Sequence, residues 1–195
     1  MIRFNQYLDT IRSVNNLGKD PEDVQWMAHT GMLFLTWDKW WGDFRYRPSA
    51  HEGVDITYYR DRAGRLHQFS DAIHVPAMAD GIVLTVCRDF LGQTIVAELP
   101  EESDPLGQSA EQGSSLTRSV LAYAHIVPDR NIQPGDKISR DQIIAHVCDT
   151  VKNPLLPPHL HLSCFVIPRQ MPAHRLNWEL FSQSTEIALI HPWFL

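Results

Sequence analysis

Cysteine is scarce in this chain, and the little there is has no pairing pattern. Cys87, Cys148 and Cys164 are odd in number and far apart, with no C-x-x-C spacing, so neither a disulfide framework nor a zinc ribbon or dithiol motif is encoded. Each sits in an apolar, strand-like run and is expected as a buried free thiol. Long apolar runs are missing too. The stretch "GMLFLTW" falls far short of the roughly 20 residues that cross a bilayer. "MIRFNQYLDTIRSV" is polar throughout, so it is neither a membrane helix nor the apolar centre of a signal peptide. Basic charge is in deficit: 17 Lys and Arg stand against 23 Asp and Glu, a formal net charge of −6. With no basic run to reverse this locally, no nucleic-acid partner and no pull toward anionic membranes is expected.

What is present suits one domain with its own core: 195 residues, 44% of them hydrophobic, with no internal repeat. Phe4, Leu8 and Ile11 recur at helical spacing. "KDPEDVQWMAHTG" offers Asp20 as an N-cap, Pro21 at the first helical position and Gly31 as a stop. A helical N-terminal extension over 1–44 is therefore predicted. From about residue 52 the pattern changes to short β-rich runs, "VDITYY", "GIVLTVCRD", "QTIVAEL", "SVLAYAHIV", "QIIAHVC" and "LHLSCFVI", punctuated by turn residues. That predicts a mainly β (α+β overall) fold with an antiparallel sheet core. Residues 100–118, polar and rich in Gly and Ser, are expected as a mobile surface loop between strands that pair as a hairpin. The tail predicts a short helix around Trp178 to Phe181 and an apolar end that packs back.

Three stretches carry chemistry. In "HEGVD" an extended backbone points His51, Gly53 and Asp55 to one side, giving a nitrogen and an oxygen ligand with space at the glycine for an ion or substrate; the alternative is a loop histidine and a turn aspartate. In "PPHLHLSCF" alternation puts His159, His161 and Ser163 on one face, with Leu160, Leu162 and Phe165 toward the other or the core. One histidine of such a pair can bind a metal while its neighbour stays free for substrate or water, and a purely structural pair is the alternative. In "SVLAYAHIVPDR", His125 projects from a strand with Tyr123 beside it; a lone core histidine is the plainer reading. Catalytic zinc sites use three protein ligands and keep a fourth position open. His51, Asp55 and one of His159 and His161 supply that number. Trp37, Trp40 and Trp41 just upstream are read as core packing, with a substrate wall as the alternative.

Taken in order, "HEGVD", "ADGIVLTV", "YAHI", "IQPGDKISRDQIIAHV" and "PPHLHLS", over roughly residues 45–168, resemble the lysostaphin/LytM-like zinc metallopeptidases, which cut peptide bonds in peptidoglycan. The ending "HPWFL" is similar to the tails of such chains. The resemblance implies a LytM-like peptidase domain over 45–195 and one zinc ion per chain, held by His51, Asp55 and His161. It also implies His125 and His159 as catalytic histidines, and a peptide substrate in peptidoglycan stems or cross-bridges. Of the two, His159 is expected as base and His125 as stabiliser, with Tyr123 as a substrate contact. A non-catalytic peptide-binding or cell-wall-binding member of the same fold is the alternative. The resemblance points to the cell envelope or beyond, whereas the missing signal-peptide centre would suit the cytoplasm or a leader left off.

Overall fold

Two backbone periodicities share the chain, one short helical stripe and many two-residue alternations. A computed structural model describes residues 3–100, 116–150 and 155–192. The stripe forms α1 (Phe4–Val14), which buries Tyr7 and Ile11 against the main core, with Phe4 and Leu8 packed beside them. Its docking is pinned by polar contacts: Tyr7 Oη donates to the Pro76 carbonyl at 3.0 Å, and the Asn15 side chain makes two bonds to the backbone of His74 at 2.9 and 2.7 Å.

The second predicted helix is a correction. Asp20 and Pro21 keep the N-cap and first-turn places expected of them, but Pro21–Asp23 makes only one 3₁₀ turn, with Asp23 Oδ2 accepting from the Lys19 and Asp20 amides at 3.0 and 3.1 Å. The chain then enters strand β1 (Val24–Met27). Val24 and Trp26 alternate with Gln25 and Met27, and pairing with a neighbouring strand satisfies the backbone while Trp26 packs edge-on to Phe69, 6.1 Å between ring centres. Tertiary pairing overrides the helical start signal. Within the predicted 1–44 extension, α1 is thus the only α-helix among the described residues.

The remaining strands are β2 (Val54–Ile56), β3 (Tyr58–Asp61), β4 (Leu66–Gln68), β5 (His74–Pro76), β6 (Gly81–Arg88), β7 (Gln93–Glu98), β8 (Thr117–Pro128), β9 (Lys137–Ile138), β10 (Ile143–Val147), β11 (Leu160–Pro168) and β12 (Ala188–Ile190). The fold is mainly β. A three-stranded sheet runs β1-β3-β4, and a nine-stranded sheet runs β12-β11-β8-β7-β6-β9, with β2 added to β11 and β10 bridging β8 and β5. Every pairing between these strands is antiparallel. As expected, β7 and β8 pair, from Gln93 opposite Ile126 to Glu98 opposite Val120. Most of the loop expected between them lies outside the described residues.

Alternation along β8 and β11 gives the large sheet two apolar faces. Leu121, Tyr123, Leu160, Leu162 and Cys164 join the main core. Val120, Ala122, Phe165 and Ile167 form a second cluster on the other face. Phe165 therefore lies with the odd-numbered positions, a correction to its expected place beside Leu160 and Leu162. Over that second face lies α2 (Trp178–Gln183), where the tail helix was expected; Asn177 caps it by accepting from the Leu180 amide at 2.9 Å, and Phe181 stacks on Phe165 at 4.3 Å. The tail then adds β12 to the edge of β11, and its last three residues lie outside the described ones. Cys164 is buried, while Cys87 and Cys148 are only partly so, and none of the three is in a disulfide. No helix among the described residues is long and apolar enough to cross a membrane.

Candidate metal centre

β2 and β11 run antiparallel with Asp55 directly opposite His161. Residues opposite one another in such a ladder project to the same face, so the pairing itself brings Asp55 Oδ1 to 2.8 Å from His161 Nδ1. His51 reaches the same point from the segment before β2, fixed by backbone bonds between His51 and Leu35 and Thr36. Its Nε2 lies 3.1 Å from His161 Nδ1 and 3.2 Å from Asp55 Oδ1. These three residues form a buried group whose ligand atoms all lie within 4.8 Å of one another.

Their outward-facing atoms settle which atoms face inward. His51 Nδ1 is 3.0 Å from the Leu33 carbonyl, which can only accept, so Nδ1 carries the proton and Nε2 presents a lone pair. His161 Nε2 sits 2.7 Å from Ser163 Oγ, which can take its proton and leave Nδ1 free. Asp55 Oδ2 accepts from Trp40 Nε1 at 2.6 Å and from an Arg47 Nη2 at 3.3 Å, which leaves Oδ1 for the centre. Two imidazole lone pairs and a carboxylate oxygen thus meet in a buried spot that needs a proton or a cation among them. Donors held tetrahedrally at zinc-ligand distances stand about 3.3 Å apart, close to the separations found. The set fits zinc, and each of the three side chains has an outer hydrogen-bond partner of the kind that orients metal-binding groups.

His159 and His125 stand beside this group without joining it. His159 precedes β11, where its Nδ1 donates to the Pro157 carbonyl at 2.8 Å, and its Nε2 faces Asp55 Oδ1 at 3.8 Å. The edge of Trp40 packs on its ring at 5.1 Å. His125 lies 4.8 Å from the His159 ring and 5.6 Å from the His161 ring, centre to centre. Between β7 and β8 the register shifts, with the two residues between Tyr123 and Ile126 set against the one between Ile95 and Gln93. His125 sits in that bulge with φ of 62°, in the left-handed region that a side chain rarely adopts without reason.

The same bulge corrects Tyr123. Simple alternation puts Tyr123 and His125 on one face, but Tyr123 and Ile126 both keep to the core while His125 turns to the site. Tyr123 is 1% exposed and its hydroxyl accepts from the Met78 amide at 2.9 Å. Burial pushes its ionisation far up, and the residue is out of a substrate's reach. Gly53 also has a different use from the one expected. A β-carbon there would meet the Leu162 carbonyl and lie 2.7 Å from His161 Nε2, so the absent side chain admits β11, not an ion.

Burial sets the electrostatics. It would raise the Asp55 carboxyl, but the His51, His159 and His161 rings around it outweigh burial and hold the group well below the usual carboxylate range. Burial pulls His159 down to about 3 despite the nearby Asp55, and it lowers His161 as well. Both are neutral near pH 7 in the metal-free chain. Residues the motif reading missed are Asp89, behind His125, and Arg47; Trp40 was read as packing, and it does pack on Met32 and Leu156 while holding Asp55. Trp37 is 56% exposed.

No family model and no curated protein matches this chain. Solved structures do overlap it in part. One is a zinc-containing peptidase from Vibrio cholerae, at 20% identity over 78% of this chain and 36% of that one, with a TM-score of 0.44. Another is the catalytic domain of the prophage-encoded M23 protein EnpA from Enterococcus faecalis, at 16% identity over 72% of this chain and 79% of that one, with a TM-score of 0.40. A third is lysostaphin, at 18% identity over 71% of this chain and 49% of that one, with a TM-score of 0.42. The likeness is one of fold.

Proposed function

We propose that this chain is a zinc-dependent metalloendopeptidase that hydrolyses peptide bonds, with the stem or cross-bridge peptides of peptidoglycan as its substrate class. The observation that carries the reading is the convergence of His51 Nε2, Asp55 Oδ1 and His161 Nδ1 within 3.2 Å of one another, with the rings of His125 and His159 beside them. A structural histidine cluster needs no such division between three inward lone pairs and two neighbours held apart. In this reading the catalytic domain spans 45–195, with α1 and β1 packed on it, and the protein acts at the cell envelope or outside the cell.

A zinc ion in this set supplies Lewis acidity toward a peptide carbonyl and lowers the pKa of water toward about 7. His159, its Nδ1 proton committed to the Pro157 carbonyl, offers Nε2 to take a proton from the attacking water. His159 then returns that proton to the departing amine, while His125, in its protonated form, donates to the carbonyl oxygen as negative charge develops. The buried setting strengthens both contacts.

Mass spectrometry of soluble fragments released from purified peptidoglycan tests this, with a chelator control. New peptide termini that vanish with chelator are expected, and they identify the bond. Absence of release from any wall type, by protein holding stoichiometric zinc, overturns the proposal in favour of a non-catalytic peptide-binding role.

A further inference from the structure

Asp89, in the turn between β6 and β7, is the most heavily engaged carboxylate near the site that the chemistry above leaves unused. Oδ2 accepts from the His125 backbone amide at 2.9 Å and from Thr94 Oγ1 at 2.9 Å, while Oδ1 accepts from the Leu91 and Gly92 amides at 2.9 and 2.6 Å. Oδ1 also lies 3.1 Å from His125 Nδ1, an ion-pair distance at which the ring N–H is off-line in the resting structure. The Asp89 side chain is 1% exposed.

A turn-forming role accounts for the Leu91 and Gly92 bonds, since aspartate commonly closes a turn on the amides that follow it. It does not account for the other contacts. The carboxylate holds the backbone amide of one residue 36 positions away and stands 3.1 Å from its ring Nδ1, and that residue has the strained φ. Thr94 Oγ1, which donates to Asp89, in turn accepts from Trp178 Nε1 at 2.8 Å, and the Trp178 ring packs on His161 at 5.3 Å. Phe90 packs edge-on against the His125 ring at 4.6 Å. Gly92 lets the turn close, because a β-carbon there would lie 2.8 Å from the Ile126 carbonyl and 2.9 Å from Cys148 Sγ.

We propose that Asp89 is the positioning residue of His125: its carboxylate holds the bulge open and keeps the proton on Nδ1, so that Nε2 is the nitrogen that exchanges protons with substrate. Whether the ring is neutral or protonated, the same nitrogen then faces the reaction, as acceptor in one state and donor in the other. The inference rests on the peptidase reading for its catalytic consequence, while the tautomer it fixes is a property of the chain alone.

Asp89→Asn tests it: the charge opposite Nδ1 is gone, and whichever way the amide turns, its NH2 replaces an oxygen that accepts from the His125 amide and Thr94 or one that faces the turn amides and Nδ1. Imidazole nitrogen NMR of zinc-loaded wild type is expected to show His125 with a proton on Nδ1, and Asp89→Asn to move that signal toward the other tautomer or a mixture. With zinc content and melting temperature held, kcat is expected to fall about 10- to 100-fold with KM little changed. In a His125→Ala background the same substitution is expected to add no further loss, the signature of one residue acting through another. If Asp89→Asn does not fold, Thr94→Val deletes one donor to the carboxylate and is expected to give a smaller loss of the same kind. An unshifted His125 signal, or a full additional loss in the His125→Ala background, overturns the proposal and leaves Asp89 as a turn former. If the wild type cuts no peptide, the peptidase reading fails and the NMR arm still decides the role of Asp89.

Discussion

Asp55 and His161 stand opposite one another across the β2–β11 ladder, with Oδ1 and Nδ1 2.8 Å apart. The ladder register aims both at one point, so their approach is a consequence of strand pairing. His161→Ala is therefore expected to lose stoichiometric zinc together with any activity. His159→Ala, which removes a ring beside the set, is expected to keep zinc and lower turnover by about 100-fold or more. Zinc analysis of the two purified variants checks this. Stoichiometric zinc in His161→Ala would remove it from the ligand set.

Trp40 is the test of how much the outer partners matter. Its Nε1 donates to Asp55 Oδ2 at 2.6 Å, and the ring is buried against Tyr58 and His159. Trp40→Phe keeps most of the aromatic volume and deletes the donor. Zinc affinity is expected to weaken about 10- to 100-fold, in the range that outer partners typically supply. Competition against a chelator of known affinity measures it, and unchanged affinity would mean that Arg47 alone holds the carboxylate.

How legible this was in the sequence depended on how local each cause is. That His51, Asp55 and His161 come together was legible because such groups are written in residue types at short spacing, and the six β-rich runs were legible because alternation persists over several residues. β4, β5, β9 and β12 have three residues or fewer and exist through their partners, so no window of sequence announces them. β1 was misread because Asp20-Pro21 signals a helix start, whereas the decision came from pairing with β3, more than 30 residues on. The bulge at His125 left no trace in "SVLAYAHIVPDR", since alternation carries no mark of where a register slips. Trp40, Arg47 and Asp89 act through contacts that only the fold brings together.

Gly53 sits under β11, where a β-carbon would meet the Leu162 carbonyl, lie 2.5 Å from Ser163 Oγ and 2.7 Å from His161 Nε2. Two of these neighbours are the His161 ring and its hydrogen-bond partner Ser163, so relief must come from moving β2 away from β11. Gly53→Ala is expected to destabilise the fold by about 1–3 kcal/mol, as overpacking does, and to weaken zinc binding in the same variant. Urea unfolding with and without zinc reads both effects. Loss of stability with full zinc affinity would show that the strain relaxes elsewhere.

Acid should unfold the metal-free chain early. His159 titrates at about 3 in the fold, lowered by burial, and His161 is lowered too, against about 6.5 for an unfolded histidine. As pH falls below about 6.5 the unfolded chain takes up protons that the folded chain refuses, so stability rises with pH in this window and is lost on acidification. One such group contributes a slope of about 1.4 kcal/mol per pH unit, and two steepen it. Asp55 acts in the same direction but lower, its stabilisation complete above about 4 and lost as pH falls through its depressed folded value. Bound zinc needs the histidines deprotonated, so the gain in melting temperature on adding zinc should shrink from pH 7.5 to 5. Urea titrations of chelated protein over that range, repeated with His159→Gln, isolate one histidine's share. A wild-type slope no steeper than that of the variant would mean that His159 is not held neutral by the fold.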